Sequence, residues 1–284
     1  MNYRHAFHAG NFADVFKHAV LLGLVDGLMR RAPVLRVIET HAGAGVYDLE
    51  SDAARRTGEA AGGIRRALAG AQAPASVDAL TASVRALNRG GGMRRYPGSP
   101  RLVCERLRLR DRYLGFEARD EETAVLRRSL AQFPQAKVVL GDGWRALAFQ
   151  PLRRGETALI LIDPPFERSE DGVLAARLAA EALKQDPHAS VALWAPIKDL
   201  VGFDVLRGNF AEAGREARVL IGELRLRPLD DPMRLNGCAM LLINPPPDFA
   251  AELEAIARWC AGVLGEKGAE ARVETGTVPP DPEF

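Results

Sequence analysis

The chain has 284 residues, 47% of them hydrophobic, so it can bury a substantial core in one large domain or two small ones. Glycine (27 residues) and proline (18 residues) are near ordinary usage, and no segment repeats at a fixed period. This excludes collagen-like, low-complexity and solenoid proteins. The net charge is only +1, although arginine supplies 33 of the 38 basic residues, so the chain lacks a strongly basic coat for nucleic acid.

Targeting and redox signals favour the cytoplasm. Residues 1–11 lack the apolar core of a signal peptide, and no apolar run approaches the roughly 18 residues that a membrane helix needs. The three cysteines lie far apart and form no CxxC pair, which disfavours a disulfide framework and a zinc site. We therefore expect a cytoplasmic protein without a membrane partner.

Strand-like apolar segments alternate with helix-period segments along the chain. Helical segments separate the first five predicted strands, and this alternation predicts an α/β fold with a parallel sheet covered on both faces. Only a turn-rich segment joins the last two strands, which we expect to form an antiparallel hairpin at one edge. This topology resembles that of Rossmann-like class I methyltransferases, but topology alone does not identify a function. The predicted strands are 34–40, 112–118, 137–140, 157–163, 190–196, 218–227 and 237–244.

Capping residues mark two further helix starts. Asn11 can cap a helix that runs to about Arg31 and buries apolar residues at helical spacing. Ser99 followed by Pro100 predicts another helix, with Ser99 as the N-cap and proline in the first turn.

Residues 50–95 interrupt the alternation of strands and helices. They contain two helix-like segments, at about 58–70 and 76–89, followed by a glycine-rich loop. We interpret them as a small helical insertion in a main domain formed by residues 1–49 and 96–284. The insertion either covers core or helps to hold a large substrate.

Conspicuous residues follow the first three strands, where open parallel sheets bind their ligands. After the first strand, Gly43 and Gly45 let the backbone approach a cofactor and leave amides free to bond to it. A third glycine is missing, which counts against a dinucleotide. Glu117, after the second strand, either stands where nucleotide-binding sheets place a carboxylate on ribose hydroxyls or is a solvated strand end. Asp142, after the third, either accepts a bond from an adenine amino group or caps a helix that starts near Trp144.

The fourth strand runs into the sequence Asp-Pro-Pro-Phe at 163–166, the most specific signal in the chain. The prolines end the strand rigidly and donate no hydrogen bonds. Asp163 and a backbone carbonyl could accept the N–H protons of a nucleobase amine, and Phe166 could stack on the extruded base. Asn244 begins a similar segment, Asn-Pro-Pro-Pro, but it lacks the aromatic residue and follows the hairpin strand. We interpret it as a strand terminator.

Taken together, the glycine turn, the two acids and the Asp-Pro-Pro-Phe segment resemble the S-adenosylmethionine-dependent methyltransferases that make N6-methyladenine. Residues 3–18, 39–45, 56–59 and 95–100 narrow the resemblance to the RlmJ family, bacterial enzymes that methylate one adenine of 23S ribosomal RNA. The resemblance covers essentially the whole chain. It implies S-adenosylmethionine as methyl donor, base extrusion, direct in-line transfer, and 23S ribosomal RNA as partner; we further expect a monomer.

The resemblance also implies roles for individual residues. Asp163 and Phe166 would be catalytic, although many relatives carry tyrosine in place of Phe166. The resemblance places Tyr3 near the RNA. We extend this RNA-binding surface to Arg4, His5, Arg94, Arg95 and Tyr96, in which Tyr3 and Tyr96 could stack on unpaired bases. The implied cofactor contacts are His18, His41, Ser99, Glu117, Asp142, Gly143 and Asp163.

Other interpretations of the sequence remain open. His5, His8, His18 and His41 could be a zinc set, but their spacing matches no usual ligand pattern, and we expect no metal. The same pocket would suit a DNA N6-adenine methyltransferase, and the same fold would suit an inactive RNA-binding protein. An NAD oxidoreductase is disfavoured by the missing third glycine.

Overall fold

The computed structural model describes residues 4–153, 156–213 and 217–278. An eight-stranded sheet forms its centre, in the order β10-β8-β9-β7-β6-β1-β4-β5, with β1, β4, β5, β6 and β7 parallel. The short β2 and β3 pair separately. The strands are β1 (Leu35–Glu39), β2 (Val46–Asp48), β3 (Arg95–Pro97), β4 (Arg112–Glu117), β5 (Ala136–Leu140), β6 (Thr157–Ile162), β7 (Ser190–Ile197), β8 (Ala217–Arg225), β9 (Gly237–Ile243) and β10 (Glu270–Val278).

Helices cover both faces of the sheet, as the alternating pattern predicts. They are α1 (Phe12–Arg31), α2 (Asp52–Thr57), α3 (Ile64–Ala69), α4 (Ala75–Leu87), α5 (Ser99–Arg106), α6 (Asp120–Leu130), α7 (Ala146–Phe149), α8 (Asp171–Gln185), α9 (Leu200–Ala213) and α10 (Phe249–Leu264). The core on one face is built mainly by α1, α4, α5, α6 and α10, and the core on the other by α7, α8 and α9. None of the helices within the described residues combines the length and hydropathy that a membrane span requires.

The C-terminal part of the sheet is antiparallel. The predicted hairpin forms, since β8 pairs with β9 and β9 pairs with β7. It does not end the sheet, however, because β10 pairs antiparallel with β8 and provides the edge. Sequence analysis missed β10 because charged residues alternate along it and it lacks a continuous apolar run.

Helix α1 is buried on almost every side, because α4 from residues 50–95 packs on it together with α5, α10 and the sheet. Ile64, Leu80 and Val84 belong to the same apolar core as α1. The division of the chain into a main domain and an insertion at 50–95 stays a prediction. The predicted helix at 58–70 is in fact broken, with α3 starting only at Ile64.

The two capping predictions have different outcomes. Asn11 caps α1 by accepting a bond from Asp14 N, 2.9 Å away, which confirms the predicted start. Helix α5 begins at Ser99 with Pro100 in its first turn, but Gly98 occupies the N-cap position. The prediction of Ser99 as cap is wrong, because its hydroxyl bonds to Glu39 instead.

Candidate active site

The turns that follow β1, β4, β5 and β6 meet at the carboxyl edge of the sheet. Thr40 N donates to the carbonyl oxygen of Leu161 at 3.0 Å, and Ala42 N donates to that of Phe116 at 2.8 Å. The turn after β1 is thereby fixed to the strands on both of its sides. Parallel sheets bind their ligands at this edge.

The glycine turn adopts the backbone conformation that its sequence predicts. Gly43 and Gly45 have φ values of +63° and +76°, which residues with a Cβ rarely adopt. Gly43 N donates to Glu117 Oε2 at 2.9 Å, and Ala44 N donates to the hydroxyl of Tyr47 at 3.1 Å. The expectation of free amides is wrong at these two positions, because the amides bind side chains of the protein itself.

Glu117 links the end of β4 to this turn. Its Oε1 accepts a bond from Arg119 N at 2.9 Å, while Oε2 takes Gly43 N. Burial raises the pKa of Glu117, and the two amide bonds oppose this shift only in part. Each carboxylate oxygen keeps a lone pair for a further donor.

The turn after β5 packs directly on the end of β1. A Cβ at Gly143 would lie 1.8 Å from the carbonyl oxygen of Thr40, so only glycine fits. Asp142 Oδ1 accepts a bond from Trp144 N at 3.0 Å, which confirms the predicted cap. The rings of His41 and Trp144 meet edge to face at 4.7 Å. Burial lowers the pKa of His41 to about 4, so its imidazole is neutral at pH 7.

Asp163, directly after β6, forms an ion pair with a residue of α1. Lys17 Nζ lies 2.7 Å from Asp163 Oδ2 and 3.0 Å from Asp14 Oδ1. The side chains of Lys17, Asp163 and Asp14 are 6%, 15% and 2% exposed. Buried charges require such pairing, because desolvation costs several kcal/mol per ion. Within the described residues Asp163 Oδ1 has no hydrogen-bond partner, so it can accept a bond from a ligand.

Asp14 connects this ion pair to the N-terminal residues. Its Oδ2 lies 2.9 Å from His5 Nε2 and accepts a bond from Gly10 N at 2.8 Å. Burial by itself would raise the pKa of Asp14, but His5 and Lys17 outweigh it and hold the pKa well below its ordinary value. Asp14 is therefore a carboxylate throughout the neutral range.

Phe166 stands in a strained conformation beside this cluster. Its φ is +49°, which costs a bulky residue about 1–3 kcal/mol. Its ring lies 5.9 Å from that of Trp194 on β7, and Lys17 Nζ lies 5.9 Å from the Trp194 ring centroid. Two aromatic side chains therefore stand close to the Lys17–Asp163 pair.

Glu39, the last residue of β1, is completely buried. Tyr113 Oη donates to its Oε2 at 2.6 Å, and Ser99 Oγ donates to its Oε1 at 2.5 Å. Burial raises the pKa of Glu39 to about 8, although these two bonds act in the opposite direction. Ser99, an expected cofactor contact, thus uses its hydroxyl within the protein.

His18 lies one residue beyond Lys17 and is 1% exposed. Its Nδ1 lies 2.7 Å from the hydroxyl of Tyr96, and burial lowers its pKa to about 3. Its contact with a cofactor stays a prediction. Tyr96 is 0% exposed, so the expectation that it stacks on unpaired RNA bases is wrong: the hydrophobic core encloses its ring.

The second proline segment lies at the other edge of the sheet. Strand β9 is antiparallel to β7, and Ile243 pairs with Val191 near the start of β7. Asn244 Nδ2 donates to the carbonyl oxygens of Pro187 and Ala189 at 2.9 and 3.1 Å. This confirms its interpretation as a strand terminator.

Two of the expected RNA contacts, Tyr3 and Arg4, belong to the N-terminus. Tyr3 lies outside the described residues. Arg4 is 51% exposed, with its guanidinium 4.0 Å from Glu121 on α6.

Sequence analysis missed four residues of the site, namely Asp14, Lys17, Glu39 and Trp194. A signal for two of them exists, because Asp14 and Lys17 are charged residues one turn apart in a helix whose next residues, from Ala19 to Val25, are all apolar. Charged residues are almost never fully buried unless they are paired, so this pattern predicts partners elsewhere in the fold.

Among residues 4–153, 156–213 and 217–278, no group of three or more histidine, cysteine, aspartate or glutamate side chains is arranged to hold a metal ion. The strained Asp-Pro-Pro-Phe turn, the Lys17–Asp163 ion pair and the acids after β4 and β5 supply hydrogen-bond acceptors and aromatic rings at the carboxyl edge of the sheet.

Comparisons with known proteins extend over nearly the whole chain. A family model described as "Ribosomal RNA large subunit methyltransferase D, RlmJ" matches residues 32–276, which include residues 50–95. Ribosomal RNA large subunit methyltransferase J of Escherichia coli (strain K12) is 32% identical over 285 residues, covering 98% of this chain and 99% of that protein. The Haemophilus influenzae protein of the same name is 30% identical, covering 94% and 95%. A Legionella pneumophila crystal structure is 27% identical with a TM-score of 0.86, covering 95% and 98%.

Glu39 should make stability depend on pH. Folding keeps a proton on Glu39 that the unfolded chain releases, so the free energy of unfolding should fall as pH rises from about 4.5 to about 8. The limiting slope is about 1.4 kcal/mol per pH unit. Glu39→Gln, which has the shape of the protonated acid, should lose this slope. Urea unfolding at pH 5.5 and pH 8 tests it, with exposed Glu50→Gln as control; equal slopes for parent and Glu39→Gln would contradict the assignment.

Proposed function

This chain belongs to the RlmJ family of ribosomal RNA large subunit methyltransferases, and from that premise we propose that it transfers a methyl group from S-adenosylmethionine to N6 of a single adenine in 23S ribosomal RNA. The observation that carries the proposal is Asp163, whose Oδ2 is ion-paired with Lys17 while Oδ1 is available to a ligand. The exocyclic amine of adenine is a poor nucleophile because its lone pair is delocalised into the ring. When an acceptor binds its N–H protons, the lone pair is localised on N6, and from there it can attack the methyl donor.

The acids after β4 and β5 fit the nucleoside part of the methyl donor. Both oxygens of Glu117 keep a lone pair for ribose hydroxyls. Asp142 is exposed, and its Oδ2 has no partner in the described residues, so it can accept a bond from the adenine amino group. His41 and Gly143 line the same turns, with His18 and Ser99 deeper in the fold. When bound, S-adenosylmethionine supplies a methyl group activated by a sulfonium.

Lys17 fixes the direction in which Asp163 presents its second oxygen. Because Lys17 occupies Oδ2, the carboxylate can offer Oδ1 to the target amine without rotating. Asp163 does not have to remove a proton before attack, since the amine becomes acidic only as the new N–C bond forms. The proton can then pass to Oδ1. The catalytic contribution is therefore one of position and polarisation, without a covalent enzyme intermediate.

Phe166 supplies a stacking face for the extruded adenine. Base extrusion costs a few kcal/mol, and stacking on an aromatic ring recovers part of it. Phe166 has no hydroxyl group, so its contribution in this chain is stacking alone. Its positive φ is a strained backbone conformation, and such conformations cluster at active sites and ligand-binding positions.

The proposed activity can be tested with labelled S-adenosylmethionine and 23S ribosomal RNA that lacks the modification. We expect N6-methyladenosine at one position after nucleoside analysis, and no product with duplex DNA. Asp163→Asn should lower the rate on the order of a hundred- to thousand-fold, because it removes one preorganised acceptor, while RNA binding persists.

Asp230→Asn, in the exposed loop between β8 and β9, is the matched control and should retain the parent rate. Methylation of duplex DNA in preference to RNA would contradict the proposal and identify the protein as a DNA N6-adenine methyltransferase. A near-parent rate for Asp163→Asn would remove this residue from the reaction.

We propose that part of the RNA backbone lies in a groove of about 640 Å³ between β2, β3, the end of α4 and α6. Its lining includes the arginines Arg94, Arg95, Arg101 and Arg128 and the acid Asp48. Arg94 pairs with Asp48 at 2.8 Å. Neither Arg95 nor Arg128 forms an ion pair within the described residues, and both are exposed. Arginine forms bidentate bonds with phosphate, so the unpaired guanidiniums suit a nucleic-acid backbone.

Arg95→Ala combined with Arg128→Ala should weaken binding of ribosomal RNA and leave the affinity for S-adenosylmethionine unchanged. Loss of two phosphate contacts should lower the slope of log affinity against log salt concentration by about 1.4–1.8. Filter binding over a salt series measures both effects. Arg177→Ala combined with Lys184→Ala, on α8 at the opposite face of the sheet, controls for the loss of two charges. Equal weakening by both pairs would reject the groove.

A further inference from the structure

The first described residues of the chain, Arg4–Asn11, pack against the helical insertion. We call them the N-terminal segment. Glu59 makes two of the contacts: its Oε1 lies 2.8 Å from His8 Nδ1, and its Oε2 accepts a bond from Asn11 Nδ2 at 3.0 Å. The hydroxyl of Thr57 donates to the carbonyl oxygen of Phe7. Thr57 and Glu59 thus hold the segment by side chains on either side of Gly58.

The backbones also approach each other closely. Ile64 N donates to the carbonyl oxygen of Gly10 at 2.8 Å. A Cβ at Gly63 would lie 2.1 Å from that same oxygen, so no larger residue fits there. The position of the N-terminal segment therefore depends on where the insertion holds it.

On its other side, the N-terminal segment contacts the residues that orient Asp163. His5 Nε2 lies 2.9 Å from Asp14 Oδ2, and Gly10 N donates to the same oxygen at 2.8 Å. Asp14 Oδ1 in turn lies 3.0 Å from Lys17 Nζ, which holds Asp163 Oδ2 at 2.7 Å. A continuous series of polar contacts thus runs from the insertion to the carboxylate that faces the reaction.

Glu59 is the acidic member of the insertion in this series. Its side chain is 34% exposed and that of His8 is 38% exposed, so the contact is partly desolvated. Asp14 is the other carboxylate near His8, and Asn11 both contacts Glu59 and caps α1. Loss of the Glu59 carboxylate would remove its contacts with His8 and Asn11, which lie at the two ends of the segment's last turn.

We propose that Glu59 is a positioning residue for methyl transfer: it holds the N-terminal segment where His5 and Gly10 fix Asp14, and so keeps Lys17 and Asp163 in their reactive geometry. The inference rests on the proposed function. It gives the insertion a role in the chemical step in addition to covering α1. The proposed role of Glu59 differs from that of the arginine-lined groove. The groove residues would change the affinity for RNA, whereas Glu59 would change the rate of methyl transfer in the bound complex.

The test compares single-turnover methyl transfer, with RNA and methyl donor saturating, in the parent, Glu59→Ala, Glu59→Gln and His8→Ala. Glu59→Ala should lower the rate constant at least tenfold while the dissociation constants of RNA and S-adenosylmethionine change by less than about twofold. Glu59→Gln keeps one acceptor oxygen, which can serve either His8 or Asn11, and should recover part of the rate. His8→Ala breaks the same contact from the other side and should show the same pattern as Glu59→Ala.

Asp78→Asn removes an exposed carboxylate from α4 of the same insertion and should keep the parent rate. Melting temperatures and the fraction of enzyme that binds S-adenosylmethionine correct for unfolded protein. A parent-like rate in Glu59→Ala overturns the inference, as does a loss confined to RNA affinity or an equal loss in Asp78→Asn. Failure of the proposed function can be distinguished from failure of this inference, because in that case the parent protein itself forms no N6-methyladenosine.

Discussion

The ion pair between Lys17 and Asp163 is the interaction on which the rest of the site depends. It joins α1 to the end of β6, across 146 residues of sequence, and it places one ammonium between two carboxylates that are nearly excluded from water. Without the ammonium, Asp14 and Asp163 would be buried like charges, an arrangement that costs several kcal/mol. Helix α1 must therefore lie where it does, and α4, α5 and α10, which pack on it, keep it there.

The sequence predicted the central sheet well because most of its strands are buried on both faces and read as continuous apolar runs. Each predicted strand lies within a few residues of an observed one, and the terminal hairpin forms. Strand β10 was missed because its side chains alternate between charged and small residues, and its strand character comes from pairing with β8. Strands β2 and β3 were missed because each has only three residues.

The acids at the strand ends could be predicted because parallel strands bring their carboxyl ends to one edge, and Glu117, Asp142 and Asp163 all lie there. What could not be predicted are contacts set by the tertiary placement of helices. The partner of Lys17 depends on where α1 packs, and Tyr96 was expected at the surface although the fold encloses its ring against His18. Local patterns identify buried charges but not their partners.

The central claim, that Lys17 and Asp163 act as one unit, is tested most directly by a double-mutant cycle on single-turnover methyl transfer. The parent, Lys17→Met, Asp163→Asn and the double variant are compared at saturating RNA and S-adenosylmethionine. If Lys17 acts by orienting Asp163, the double variant should be about as slow as the slower single variant, because the second change removes nothing further. Losses that multiply in the double variant would contradict the account and show that the two residues act independently.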